Sequence, residues 1–251
     1  MTNFWTLELI KFAVLLGLSY GLGLAVLNAG VKVNYTRKVI HFFLFFLPVY
    51  LESLLPYDVN FGSILVSGAL FLLTIALMIR PIRSRSRLFN TAFAAIDRPE
   101  DRPHTLLWLS TQAMATFPIL CIMLYLLAQY ERTDLIYITV VIAGIGDGLA
   151  EPVGVRFGRH KYATRALFSD RKYTRSYEGS ACVFFSGILA CLLLKGQMST
   201  TELALALSII PIAMTLAEAF SPHTWDSPFL YLIGGTTTVI TIELASLVAA
   251  L

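Results

Sequence analysis

The sequence predicts an all-α fold, a polytopic membrane bundle of about eight transmembrane helices. Three observations lead there. Of the 251 residues, 57% are hydrophobic and 14% charged, with a mean hydropathy of +0.71, against roughly 45–50% apolar residues in a soluble domain. A soluble fold cannot bury that much apolar surface. Apolar runs recur between charged breaks at the length, about 20 residues, that a helix rising about 1.5 Å per residue needs to cross a hydrocarbon layer about 30 Å thick. Positive charge is concentrated in alternate breaks.

The runs lie at 7–28, 38–55, 61–79, 105–129, 134–150, 179–194, 201–220 and 228–250. The first has no basic leader or small-residue cleavage pattern ahead of it and reads as a retained span. With eight spans, the breaks at 29–37, 80–104, 151–178 and 221–227 share one side. All of the 19 Lys and Arg except Lys11, Arg132 and Lys195 fall on or at the edge of that side. The positive-inside rule makes it cytoplasmic and sends both termini to the opposite side. Residues 1–251 thus form one transmembrane domain, with basic cytoplasmic loops at 80–104 and 151–178. In the first of these, Leu88, Phe89, Ala92, Phe93 and Ile96 share a helical face, which reads equally as an interfacial helix or as a basic linker. Cys121, Cys182 and Cys191 lack zinc or redox spacing and read as core residues.

Ionisable residues at membrane depth are costly and mark function by default. Asp147 is the foremost, in Gly144-Ile145-Gly146-Asp147-Gly148 at the cytoplasmic end of a span. The glycines admit close approach of a phosphate or of another backbone. The carboxylate suits a magnesium ion or an ion pair with a nearby arginine. No Walker A loop is present, and the glycines lack the strand and helix setting of a Rossmann turn. Beyond them, Arg156, Arg159 and Lys161 stand among glycines, and Arg175-Ser176-Tyr177-Glu178-Gly179-Ser180 opens the next span. These groups suit a polyphosphate clamp, anionic-lipid contact or, for Ser176, Glu178 and Ser180, helix capping. Arg37, Lys38 and His41 open the second span within one turn, where His41 serves as a base or as a structural hydrogen-bonding group. Glu218 ends the seventh span, and Asp226 lies in the last cytoplasmic break.

Together these residues resemble the integral-membrane polyprenol kinase family, which includes dolichol, phytol and farnesol kinases and yeast-type diacylglycerol kinase and is distantly similar to phosphatidate cytidylyltransferases. The carriers are Arg37-Lys38-x-x-His41, Arg98-Pro99-Glu100, Gly146-Asp147-Gly148-x-Ala150 with Gly154-x-x-x-Gly158, the block Arg175 to Ser180, and Glu218 followed by Asp226. Asp226-Ser227 stands where the family usually has Asp-Asn, and Phe42 to Leu47 where a glycine commonly follows the histidine. The resemblance implies a CTP-dependent kinase of a membrane-embedded lipid alcohol. Asp147, Asp226 and Glu218 would then serve Mg²⁺, while Arg37, Lys38, Arg156, Arg159, Lys161, Arg175, Ser176, Gly146 and Gly148 hold phosphates. Asp147, His41 and Glu178 are the implied catalytic set. A cytidylyltransferase and a non-catalytic lipid transporter or scaffold are the alternatives. Expected partners are the lipid alcohol and membrane lipids, with no nucleic acid and with a homodimer left open.

Overall fold

The computed structural model describes residues 2–166 and 169–250 and is predominantly helical. Each of the eight predicted runs is a helix. They are α1 (Thr2–Ala29), α2 (Val33–Leu54), α3 (Phe61–Ala76), α6 (Thr105–Ala128), the composite stretch containing α7 (Ile136–Val141) and α8 (Gly148–Phe157), α9 (Tyr177–Leu193), α10 (Thr200–Phe220) and α11 (Asp226–Ala249). Helices α4 (Arg80–Arg83) and α5 (Arg87–Ala94) fill part of the third break. Among the described residues, five stretches are long and apolar enough to cross a membrane: 3–29, 105–128, 133–157, 200–220 and 226–249. The apolar helices α3 and α9 are shorter, at 16 and 17 residues. Helix α2 has the length but carries Arg37, Lys38, His41 and Glu52.

The chain packs as two compact units that meet at Phe117 and Pro118, inside α6. In the first unit, α1 packs against α2, α3 and α5. In the segment 80–104, expected as an interfacial helix or a basic linker, part of the apolar face turns into protein while Leu88 stays exposed. Ala92 and Phe93 are buried with Met78, flanked by Leu16, Ile96 and Leu106, and the Arg83 guanidinium lies 3.6 Å over the Phe93 ring. The helices approach so closely that a side chain on Gly23 would run into the backbone carbonyl of Thr91. Gly23→Ala is therefore expected to push α5 off α1 and destabilise the unit by about 1–3 kcal/mol. Thermal unfolding of the detergent-solubilised protein checks this, with Gly21→Ala, which meets open space, as the control. A polar cluster also lies in this unit, where Lys11 Nζ contacts Glu8 Oε1 at 2.6 Å and Ser67 Oγ at 3.3 Å. Pairing of this kind is what tolerates charge on an apolar helix.

In the second unit, α9 packs between α8 and α10, and α10 against α11. Small residues set the spacing, as in other membrane bundles. A Cβ on Gly187 would stand 2.8 Å from Pro211 Cα, and one on Gly235 would strike the Met123 side chain. The expected loop at 151–178 is corrected here. Helix α8 runs on to Phe157, and the chain then forms an antiparallel hairpin, β1 (Lys161–Ala166) and β2 (Ser169–Ser176), in which Tyr162 pairs with Arg175 and Thr164 with Tyr173. Leu167 and Phe168, within that predicted loop, lie outside the described residues. The strands follow from a period-two pattern of aromatic and β-branched residues alternating with exposed Lys161, Ala163 and Arg165.

Candidate functional site

The predicted residues of the second unit gather where α8, α9, α10 and α11 meet the hairpin. Between α7 and α8 the chain adopts a six-residue π-helix, Ile142–Asp147. Such wide turns recur at functional sites because they re-aim side chains. Asp147, only 6% exposed, ends it. Gly146 allows this placement by packing, since a Cβ there would strike the Ser186 hydroxyl and lie 2.9 Å from Val183 Cα. The close approach foreseen for this glycine is thus made by the α9 backbone. Gly148 is buried beside it.

Glu218, 4% exposed in the last turn of α10, accepts from Arg175 Nη1 at 2.6 Å and from Ser180 Oγ at 3.0 Å. Arg175 projects from β2 and also donates to the Ser221 carbonyl at 3.4 Å and hydroxyl at 3.3 Å. The Tyr162 hydroxyl, across the hairpin, lies 2.7 Å from Ser180 Oγ. Burial works against the charge on Arg175. The carboxylates of Glu218, Asp226 and Asp147 outweigh it and hold the guanidinium above its ordinary pKa. Burial foremost, with Glu218, likewise raises the Tyr162 phenol and keeps it protonated. Three acidic side chains thus act on one partly buried cation.

Among the described residues no group of three or more His, Cys, Asp or Glu is disposed to hold a metal ion. Glu218, the third member of the predicted metal set, accepts from Arg175 through one oxygen and from Ser180 through the other. Asp147 and Asp226 are hard oxygen donors acting on the same guanidinium. One or two carboxylates beside substrate phosphates is the donor set that Mg²⁺ commonly uses.

Ser176 is buried as the N-cap of α9, its hydroxyl accepting from the Gly179 N–H at 3.1 Å. The capping alternative therefore accounts for it, and Gly154 and Gly158 pack against the same hydroxyl. Glu178, which precedes the apolar run of α9, accepts from the backbone N–H groups of Arg159 at 3.1 Å and His160 at 3.2 Å and faces His160 Nδ1 at 3.0 Å. It fixes the 158–160 turn that presents Arg159. Its own backbone N–H, the His160 side chain and these amides lower its pKa from 4.5 to about 2. A carboxylate with a depressed folded pKa contributes stability that is present above its unfolded value and lost as pH falls through the folded one. The stability difference between wild type and Glu178→Gln is therefore expected at neutral pH and to vanish between pH 4.5 and about 2, as thermal melts across that range would read. Arg156, Phe157, Gly158, Arg159, His160 and Glu178 line an open cleft of about 530 Å³, in which Arg156 and Arg159 are exposed, and Lys161, also exposed, follows at the start of β1.

Arg37, Lys38 and His41 belong to the first unit. Arg37 stands 3.7 Å from Asp101, which also holds Arg98 at 2.7 Å. Lys38 is buried, and the His41 ring lies 4.6 Å from that of Phe45. Sequence reasoning missed Tyr162, Ser221 and Asp101. Tyr162 becomes legible only with the hairpin register, whereas Ser221 and Asp101 lie next to motif residues already singled out. No protein-family model, curated protein or solved structure matches this chain.

Proposed function

We propose that the protein is a CTP-dependent kinase that phosphorylates a membrane-embedded isoprenoid or related lipid alcohol. The observation that carries this reading is the partly buried Arg175 guanidinium, fixed by Glu218 and acted on by Asp147 and Asp226, at the end of an apolar bundle beside the exposed cations Arg156, Arg159 and Lys161. Phosphoryl transfer needs positioning and neutralisation of phosphoryl charge more than covalent participation by the protein. The exposed cations would hold the nucleotide phosphates, and Arg175 would face the charge that develops on the transferred group. Asp147 and Asp226 would hold Mg²⁺, which when bound neutralises phosphate charge. The lipid hydroxyl oxygen attacks the γ-phosphorus, the bond to the β-phosphate oxygen breaks, and CDP leaves. The hydroxyl proton passes to a basic group, for which Asp147 is the candidate of this unit. Glu178 acts as a positioning residue through the 158–160 turn.

In this reading all eight helical segments span the bilayer, the site faces the cytoplasm, and both termini lie on the far side. Nucleotide binding by the detergent-purified chain tests the site. CTP should bind in preference to ATP, GTP and UTP, in a Mg²⁺-dependent manner, and Asp147→Ala should abolish the preference. Incubation with a panel of lipid alcohols should then yield CDP and lipid monophosphate. Release of pyrophosphate from a lipid phosphate would instead identify a cytidylyltransferase, and absence of binding by every nucleotide would leave a non-catalytic transporter or scaffold.

A further inference from the structure

The hairpin has two faces of opposite character. Tyr162, Thr164, Tyr173 and Arg175 share the inner one by register. That face is held to the bundle by the Thr164 hydroxyl donating to the Ser221 carbonyl at 3.2 Å, by the His223 N–H donating to the Arg165 carbonyl at 2.9 Å, and by the Tyr173 and His223 rings stacked at 3.6 Å. The outer face carries Lys161, Arg165 and Lys172, all exposed. Arg165 and Lys172 are direct cross-strand partners. Like charges opposite one another destabilise a strand pair, and among the residues whose side chains are described, which leave out 166–171, no carboxylate pairs with either. A hairpin built this way is relieved by an external anion.

The base of the hairpin indicates which anion. It joins α8 to α9 and rests on the end of α10, and each of these apolar helices ends there in an exposed aromatic side chain: Phe157, Tyr177 and Phe220, the last 81% exposed. Aromatic side chains at the ends of apolar helices mark the headgroup level of a bilayer, and cations at that level are drawn to anionic lipid. We infer that the outer face of the β1–β2 hairpin is a docking surface for anionic phospholipid headgroups, with Arg165 and Lys172 as its central pair. The inference does not depend on the kinase reading, since neither residue is assigned to nucleotide or acceptor.

The test uses the full chain in nanodiscs of phosphatidylcholine alone or mixed with phosphatidylglycerol, comparing wild type with the double variant Arg165→Gln, Lys172→Gln by thermal unfolding. Anionic discs should raise the wild-type midpoint on the order of 4–8 °C, less so at high salt, and should leave the variant unmoved. In pure phosphatidylcholine the variant should be at least as stable as wild type, because the cross-strand repulsion is gone, and this also shows that it folds. An equal rise in the variant, or no rise in wild type, would overturn the inference. So would a wild-type rise in pure phosphatidylcholine on adding CTP or inorganic phosphate that the double variant loses, which would assign the face to a soluble anion, whereas a rise shared by both proteins reports the separate nucleotide site.

Discussion

Glu218→Ala is expected to destabilise the second unit by about 3–5 kcal/mol, because removing one partner of a buried ion pair leaves the other charge uncompensated in a low-dielectric setting. Arg175 would lose its shortest contact, 2.6 Å to Glu218 Oε1, and the Ser180 hydroxyl would lose its acceptor. The remaining pull of Asp226 and Asp147 on the guanidinium places the effect toward the lower end of that range. Glu218→Gln keeps the shape and an acceptor oxygen and should cost less. The double variant Glu218→Ala, Arg175→Met removes the charge together with its partner and should recover part of the loss. A double-mutant cycle from thermal or denaturant unfolding in one detergent reads the coupling directly. Additive single effects would mean that the pair does not hold the hairpin to α10.

The same pair illustrates which parts of the structure the sequence discloses. Helices α1, α6, α10 and α11 are legible because a run of apolar residues long enough to span a bilayer has one stable conformation there, with every backbone group bonded within the segment. The breaks between them are not legible in the same way. Charge and polarity mark 80–104 and 151–178 as solvated, yet Phe93 and Ala92 pack into the first unit, and alternating Tyr162, Thr164, Tyr173 and Arg175 form a hairpin face. A short strand carries too few residues for its period to stand out against basic neighbours. Asp147, Glu218 and Asp226 are legible as a group through their shared side of the topology. Their division of labour depends on where a strand side chain reaches, so the salt bridge from Glu218 to Arg175 had no sequence signal to set it apart from metal ligation. Ser176 was legible as a cap from its place ahead of an apolar run, and Gly146 as a site of close approach, though only the fold supplies Val183 and Ser186 as what approaches.

Asp147→Asn separates the fold from the chemistry. Asparagine has nearly the same volume and retains one acceptor oxygen, so the close packing of the π-helix on α9 at Gly146 and Val183 should survive, and Arg175 keeps Glu218. The substitution removes the negative charge that the proposed mechanism requires at Asp147. CTP-dependent phosphorylation of the lipid alcohol should therefore fall by at least about 10²–10³-fold, the loss typical when one preorganised electrostatic contact to the reacting group is removed, while the unfolding midpoint stays within a few degrees of wild type. Gly146→Leu makes the opposite comparison, since it wedges α9 outward and should lower stability and activity together. Steady-state kinetics with CTP and the best lipid acceptor, run beside thermal melts of both variants, distinguish the cases. Full activity in Asp147→Asn would mean that this carboxylate serves only to balance Arg175, and the phosphotransfer reading would then lose its central residue.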